Sequence, residues 1–542
     1  MLIGPFTMES KDQKDMTAVH SKPASASITE EAEKSLQFTE YEHSLGFWDA
    51  MGFYWPAVAW SMFINLATIL KGMDGGIVGS LVGLEPFKRT FGYEYRGKYV
   101  VPARWVSAYN YANPLGGIVG ALLSGWAYDR LGPRLMMTIC SSLSIAILFI
   151  QFFSHTSPQL FIGELLNGIT IAFYPICASA YVGEVTPLSL RGFAASMTNL
   201  GFVIGQLIAS GILKGTDGLD NSFAYRIPIS TQWILPVVIL AFIYFCPDPP
   251  FWLCKKGRYE AAEKSLRRLA TPGVDVSLKL AHIRETLRLE DLFQQRTGKL
   301  NYLTCFRGPN IRRLVICVMA YDMQAFTGNI LFINYAVYFF EMAGLNNSNA
   351  FSMNVGLTAI GFLGTCIAWP LLSYIGRRTA YIWGCAGLTV ALFVIGALDL
   401  APRTETSAPV WAQCALILAC NFVYDLTVGP FCFVLLAEVS SAKLRSVTIA
   451  LATVTCHIMS LVFSVVIPYA MNEDEGNWRG KLGFLFSGLS LLCTLYCFLC
   501  LPETRGRTFE ELDILFERKV SSRKFKGYVV DIAELAGGPR DA

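Results

Sequence analysis

Lys71 and Asp74 stand three residues apart in TILKGMDGGIVGS (Thr68 to Ser80), inside an otherwise apolar run. A charge at the centre of a membrane-spanning helix costs about 2.5–3.5 kcal/mol on insertion scales, so such groups face a cavity or a partner. Two chemistries fit the spacing. At i and i+3 the two charges share a helix face and neutralise one another, which simply makes the helix insertable. Alternatively Asp74 loads and releases a proton, with Lys71 as its neighbouring counter-charge. Glu164 in FIGELLNG is a second carboxylate in an apolar segment, Asp322 and Asp425 are two more, and His457 is the histidine clearly inside such a segment. Enzyme chemistry finds no foothold: there is no phosphate-cradling Gly-rich loop ending in Lys-Ser/Thr and no Ser/His/Asp or metal-ligand spacing. Cys497 and Cys500 have CxxC spacing but sit in an apolar helix without further ligands, so no metal is expected.

The elements that position these groups follow from composition. Of the 542 residues, 53% are hydrophobic and 16% charged, against roughly 25% charged in soluble domains. A net charge of +3 gives no reason to expect nucleic acid. A spanning helix needs about 20 mostly apolar residues. Such stretches fall at 57–83, 105–127, 134–153, 159–183, 193–213 and 229–247, then at 314–343, 351–374, 380–399, 410–437, 446–470 and 482–501. The reading is an all-α polytopic membrane protein of twelve transmembrane helices in two six-helix bundles. Its divisions are a polar tail (1–54), a first bundle (55–250), a loop of amphipathic helices (251–313), a second bundle (314–501) and a tail (502–542). The first tail lacks the pattern of a cleavable signal peptide, so insertion is expected to use the first span. Arg130, Arg134, Arg191, Arg377, Arg378 and Arg445 all fall in turns on one face, which the positive-inside rule makes cytoplasmic along with both termini. The sequon Asn346-Asn347-Ser348 then lies on the outer face as a glycosylation candidate.

The two bundles repeat one another. Glu184-Val-Thr-Pro-Leu-Ser-Leu-Arg191 after span 4 recurs as Glu438-Val-Ser-Ser-Ala-Lys-Leu-Arg445 after span 10, DRLGPR (Asp129 to Arg134) is answered by SYIGRR (Ser373 to Arg378), and PDPPFW by PETRGR. Parallel repeats place the binding site near mid-membrane between the halves. Asp129, Arg130, Arg134, Glu184, Arg191, Glu438 and Arg445 are therefore read as gating charges that pair across helix ends when the halves tilt together. Their alternative is ordinary topology determinants at solvated helix ends.

GWAYDRLGPR (Gly125 to Arg134), the two Glu-to-Arg motifs and Pro502-Glu-Thr-Arg-Gly506 resemble the signatures of the sugar porter family of the major facilitator superfamily, over nearly the whole chain. YDLTVGPFCF and NWRGKLGF look most like the fungal maltose/α-glucoside permease branch. The resemblance implies alternating-access carriage of a sugar, commonly with a proton, and no other cofactor. It implies a sugar site in which Gln206 and Asn199 (span 5) and Gln324 and Asn329 (span 7) bind hydroxyls and Phe433 packs on the ring, with Ala325 replacing one amide. Amides donate and accept, which suits neighbouring hydroxyls; their alternative use is hydrogen bonding between helices. It also matches Asp74 to proton coupling, and Glu164, a second candidate, stands where bacterial proton-coupled relatives carry an arginine that pairs with helix 1.

Departures from that branch carry weight. Lys71 and Gly117 stand where those permeases usually carry Glu, and Thr453 and Val454 where they carry Arg and Asn. A smaller sugar, or a less polar fungal specialised metabolite, therefore competes with maltose as cargo, and a non-transporting sugar sensor is the other alternative. The remaining expectations are a monomer, in the plasma membrane, whose partners are a small-molecule substrate and the lipid bilayer.

Overall fold

A computed structural model describes residues 30–528 apart from 96–97, 296–301, 335, 338–339, 341–346, 401–407, 442–443 and 472–477. The sequon residue Asn346 lies outside the described residues. In hydrocarbon each backbone polar group needs an internal partner, so apolar runs of this length become helices. Among the described residues ten helices are long and apolar enough to cross a membrane.

The first half comprises α2 (Phe47–Leu81), α4 (Ala103–Leu131), α5 (Pro133–Phe152), α6 (Ser157–Ile171) with α7 (Phe173–Val185), α8 (Leu188–Thr216), and α9 (Phe223–Thr231) with α10 (Ile234–Phe242). The second comprises α14 (Pro309–Phe326) with α15 (Asn329–Asn334), α16 (Asn347–Tyr374), α17 (Arg377–Leu398), α18 (Ala408–Leu426) with α19 (Val428–Val439), α20 (Arg445–Met471) and α21 (Leu482–Cys500). Two spans fall outside the ten. Helix α4 is 29 residues long but carries polar side chains, and span 7 breaks between α14 and α15 at Gly328, whose φ of +83° suits glycine. Span 10 is kinked at Thr427 (φ −124°, ψ −81°), whereas span 4, its equivalent in the repeat, runs through Ala172 with helical angles (φ −65°, ψ −23°).

Span 1 begins ten residues before its expected start, because Phe47–Trp55 continues the helix through a distortion at Tyr54 (φ −117°, ψ 19°). On the face carrying the termini, α1 (Glu30–Ser44) lies against the loop helix α13 (Val276–Gln295), beside α11 (Pro250–Lys255) and α12 (Tyr259–Leu269). After span 12, α22 (Phe509–Glu517) starts at a reciprocal cap between Thr508 and Glu511. On the other face, α3 (Glu85–Phe91) leads into a hairpin of β1 (Tyr93–Tyr95) and β2 (Lys98–Val100).

Small residues set the close approach of the first-half helices. A Cβ on Gly72 would stand 2.1 Å from the Phe202 carbonyl oxygen, and one on Gly168 2.5 Å from that of Asn113. Without a hydrophobic driving force between helices in lipid, such backbone contact is what packs them. The first contact joins α2 to α8 and the second α6 to α4, and side chains from α4 and α6 reach α2 at Asp74.

Candidate functional site: a polar cavity between the halves

A cavity of about 250 Å³ lies between the two halves. Gln206 and Asn199 on α8, Gln324 on α14 and Asn329 at the start of α15 all line it, with Lys71, Asp74 and Asp425. Four amides expected at the site are therefore brought together. Asn329 Oδ1 is buried without a hydrogen-bond partner, a cost an incoming hydroxyl would relieve. Asn199 is already engaged: its Nδ2 donates to Asp425 Oδ1 and Thr365 Oγ1 of the second half, both at 3.2 Å. It ties the halves together as well as facing the cavity. Phe433 does not line the cavity. It is 1% exposed and packs behind the lining residues Phe202 and Tyr321, with ring centroids 5.6 and 5.7 Å away. In this structure the Phe433 ring backs the cavity wall instead of forming it.

The two charges of the opening motif do not pair directly. Lys71 Nζ donates to Asn113 Oδ1 at 2.8 Å, and Asn113 Nδ2 donates in turn to Asp74 Oδ2. Asn167 Nδ2 donates to Asp74 Oδ1 at 2.6 Å. Asp74 is completely buried in the fold, yet accepts two amide hydrogen bonds and lines the cavity. This arrangement replaces the simple i, i+3 neutralisation by a relay through a second helix. Glu164 sits behind it, 3% exposed, with Oε2 lacking a hydrogen-bond partner; it does not line the cavity. Asn113 and Asn167 escaped the sequence reading. YANPLGG and GELLNG each place an amide in an apolar span, and Asn167 lies three residues from Glu164, which was the available signal.

The gating charges divide into three groups. Asp129 Oδ1 accepts from Lys255 at 3.2 Å and from Ser446 of the second half at 2.9 Å. Glu184 accepts from the Tyr128 hydroxyl and the Trp252 backbone N–H, both at 3.1 Å, while Glu438 is held by Arg377 at 2.8 and 3.2 Å and by the Thr504 hydroxyl at 2.6 Å. Arg191 and Arg445, one from each half, flank the Phe509 ring at 3.7 and 4.3 Å. Arg134 stays within its own half, donating to the Tyr244 carbonyl at 2.6 Å and facing Asp248 at 3.5 Å. Arg130 is exposed over Trp126 at 5.4 Å and takes no part in the seam. A further seal is the Tyr302 hydroxyl donating to the Leu122 carbonyl. The face carrying the termini is closed.

A family model described as sugar (and other) transporter matches residues 60–516. The chain belongs to that family. It is 33% identical over 525 residues, 95% of this chain and 86% of the relative, to the alpha-glucosides permease MPH3 of Saccharomyces cerevisiae strain S288c. It is 31% identical over 514 residues to the maltose permease MAL31 of the same yeast, covering 93% and 83%. Among solved structures, the proton:xylose symporter XylE bound to 6-bromo-6-deoxy-D-glucose superposes with a TM-score of 0.73 at 22% identity, over 85% of this chain and 99% of that one. The inward open conformation of XylE from E. coli gives 0.61 at 20% identity, with the same coverage. The fold of this transporter is therefore that of the major facilitator superfamily, twelve helices in two related halves.

Proposed function

We propose that this protein is a secondary carrier that moves a sugar across the membrane by alternating access, coupled to protons. The observation that carries the reading is one cavity in which the amides Gln206, Gln324 and Asn329 face Asp74, held in its relay with Asn113 and Lys71. Amides bind hydroxyls, and a buried carboxylate open to the same cavity exchanges a proton only when the cavity is open. The two events then share one gate. Phe509 between Arg191 and Arg445, with Asp129 on Ser446, forms the gate on the cytoplasmic side. Asp74 is the proton-coupling residue and Glu164 its reserve. We place both termini in the cytoplasm and the carrier in the plasma membrane, acting as a monomer without cofactor or catalytic step.

The cargo follows from a second feature. The imidazole of His457 lines the cavity, its Cε1 and Nε2 2.7 Å from where a Cβ on Gly117 would stand. The space that a larger residue at 117 would need is taken by histidine, which shortens the cavity and favours a monosaccharide over an α-linked disaccharide. Uptake of labelled glucose and maltose with simultaneous proton entry, in a yeast lacking its own carriers, tests both statements. Accumulation of glucose with proton entry supports them. Strong maltose-driven proton entry sinks the size argument, and binding without flux or exchange replaces the carrier with a sensor.

A further inference from the structure

The stretch after α22, RKVSSRKFK, carries five basic residues in nine: Arg518, Lys519, Arg523, Lys524 and Lys526. Its position is fixed at the membrane boundary. Ser522 Oγ donates to the carbonyl of Cys500, the last residue of span 12, at 2.6 Å. Arg523 lies over the ring of Phe498 at 4.9 Å, and Phe498 is 53% exposed on the outside of that span. Phe525 is buried against Phe516, centroids 5.3 Å apart, so the stretch is anchored to α22. Arg312, at the start of span 7, binds it from the other side through the Val520 carbonyl at 2.7 Å and Ser522 Oγ at 2.9 Å.

Between the start of α14 and the end of α21 this leaves a groove of about 460 Å³. One wall is Ile311, Val315 and Leu499, which are 44–55% exposed and belong to spans, so they face hydrocarbon. The other wall is Arg312, Lys519 and Ser521. Lys519 makes no ion pair within the described residues; its φ of +52° is the left-handed cap that ends α22, where the Val520 N–H bonds back to the Leu515 carbonyl at 3.1 Å. Of the nearby acids, Asp513 is tied to Arg313 and Glu517 alone is exposed.

We propose that this groove binds an anionic phospholipid of the leaflet on the side of the termini, its headgroup on Lys519 and Arg312 with Arg523 adding charge beside the groove over Phe498, and its acyl chain along Ile311, Val315 and Leu499. A soluble phosphate would use only the cationic wall, and a neutral lipid would leave that wall unmatched. Basic residues immediately outside a span attract anionic lipid by about 1 kcal/mol each, which is about fivefold in affinity. The site is independent of the sugar cavity.

The test uses the full-length protein in nanodiscs of phosphatidylcholine alone or with phosphatidylserine, and native mass spectrometry of the lipid retained after mild delipidation. Phosphatidylserine is retained by the wild type, and in Lys519→Gln/Arg523→Gln its apparent affinity falls about 25-fold, two charges at about fivefold each. A phosphatidylserine probe with a photoactivatable acyl chain labels peptides containing 311–315 and 499 in the wild type, a readout that does not depend on the variant folding. Equal retention of phosphatidylcholine, unchanged retention in the double variant, or labelling elsewhere overturns the proposal. So does competition by soluble glycerophosphoserine at concentrations where the lipid itself competes, since that marks a free-anion site.

Discussion

Glu184 and Glu438 occupy the same step of the repeat and are about equally buried, 7% and 4% exposed, yet they are held differently. Glu438 receives both arms of Arg377 and a hydroxyl, all from its own half. Glu184 receives a phenol and a backbone N–H, both neutral donors, and Gly183 beside it packs against the Arg445 side chain of the opposite half. Both carboxylates accept charge-assisted hydrogen bonds, and only Glu438 adds a bidentate guanidinium partner. On the gating reading proposed above, the same motif serves as a brace in the second half and as part of the seam in the first.

The largest expected effect concerns what that seam protects. Asp74→Asn keeps an amide-sized group in the relay from Lys71 through Asn113 but removes the exchangeable proton. Uphill accumulation should fall to the equilibrium ratio while sugar exchange between the two sides persists. Proteoliposomes with and without an imposed proton gradient check this. Accumulation that survives the substitution would remove Asp74 from coupling.

Next in size is the direct comparison of the two glutamates. Glu438→Gln strands the Arg377 guanidinium, 6% exposed, and breaking one side of a buried pair costs about 3–5 kcal/mol. Glu184→Gln keeps a hydrogen-bonding group facing neutral donors and should cost about 1–3 kcal/mol. Thermal melting in one detergent ranks them. If the two variants melt alike, the division into brace and seam is wrong.

A smaller effect is expected at Phe509, where each arginine–ring contact contributes about 0.5–2 kcal/mol. Phe509→Ala should leave folding intact and shift the population towards opening on the side of the termini. A cysteine at Ala450, buried on α20 near Gly125, should then react faster with a soluble thiol reagent added from that side. Unchanged reactivity would make the ring a passenger.

The sequence made the duplication legible, because Glu-to-Arg and DRLGPR-type marks are spaced by motif and survive without structural context. It also made the four cavity amides legible, through their match to the amide positions of the sugar porter family in spans 5 and 7. What it hid were contacts made between spans. Asn113 and Asn167 look like ordinary interhelical amides until Gly168 is seen to press α6 onto α4 at Asn113, with both amides donating to Asp74. Phe433 looked like a stacking platform because nothing in YDLTVGPFCF shows that its ring packs behind Phe202 and Tyr321. Phe509 lies in a tail whose docking site no periodicity encodes.

The last test concerns how tightly the layer of α1, α12 and α13 is bound to the seam. Lys279 on α13 is buried with its ammonium 4.5 Å from the centre of the Tyr54 ring, and burial pulls its pKa from 10.5 down to about 8, against the opposing pull of Glu42 and with help from Arg191. The folded form therefore binds the proton less readily than the unfolded chain does. Between about pH 8 and the free lysine value the unfolded state holds more protons, so this group makes stability rise with pH, by at most about 1.4 kcal/mol per unit; below about pH 8 its cost is fully present. Lys279→Met keeps the packing on Tyr54, removes the charge, and should melt higher than the wild type at pH 7 with the difference closing towards pH 10. A gap that stays constant across that range would show that Lys279 is not desolvated, and that the layer stands off the seam rather than resting on it.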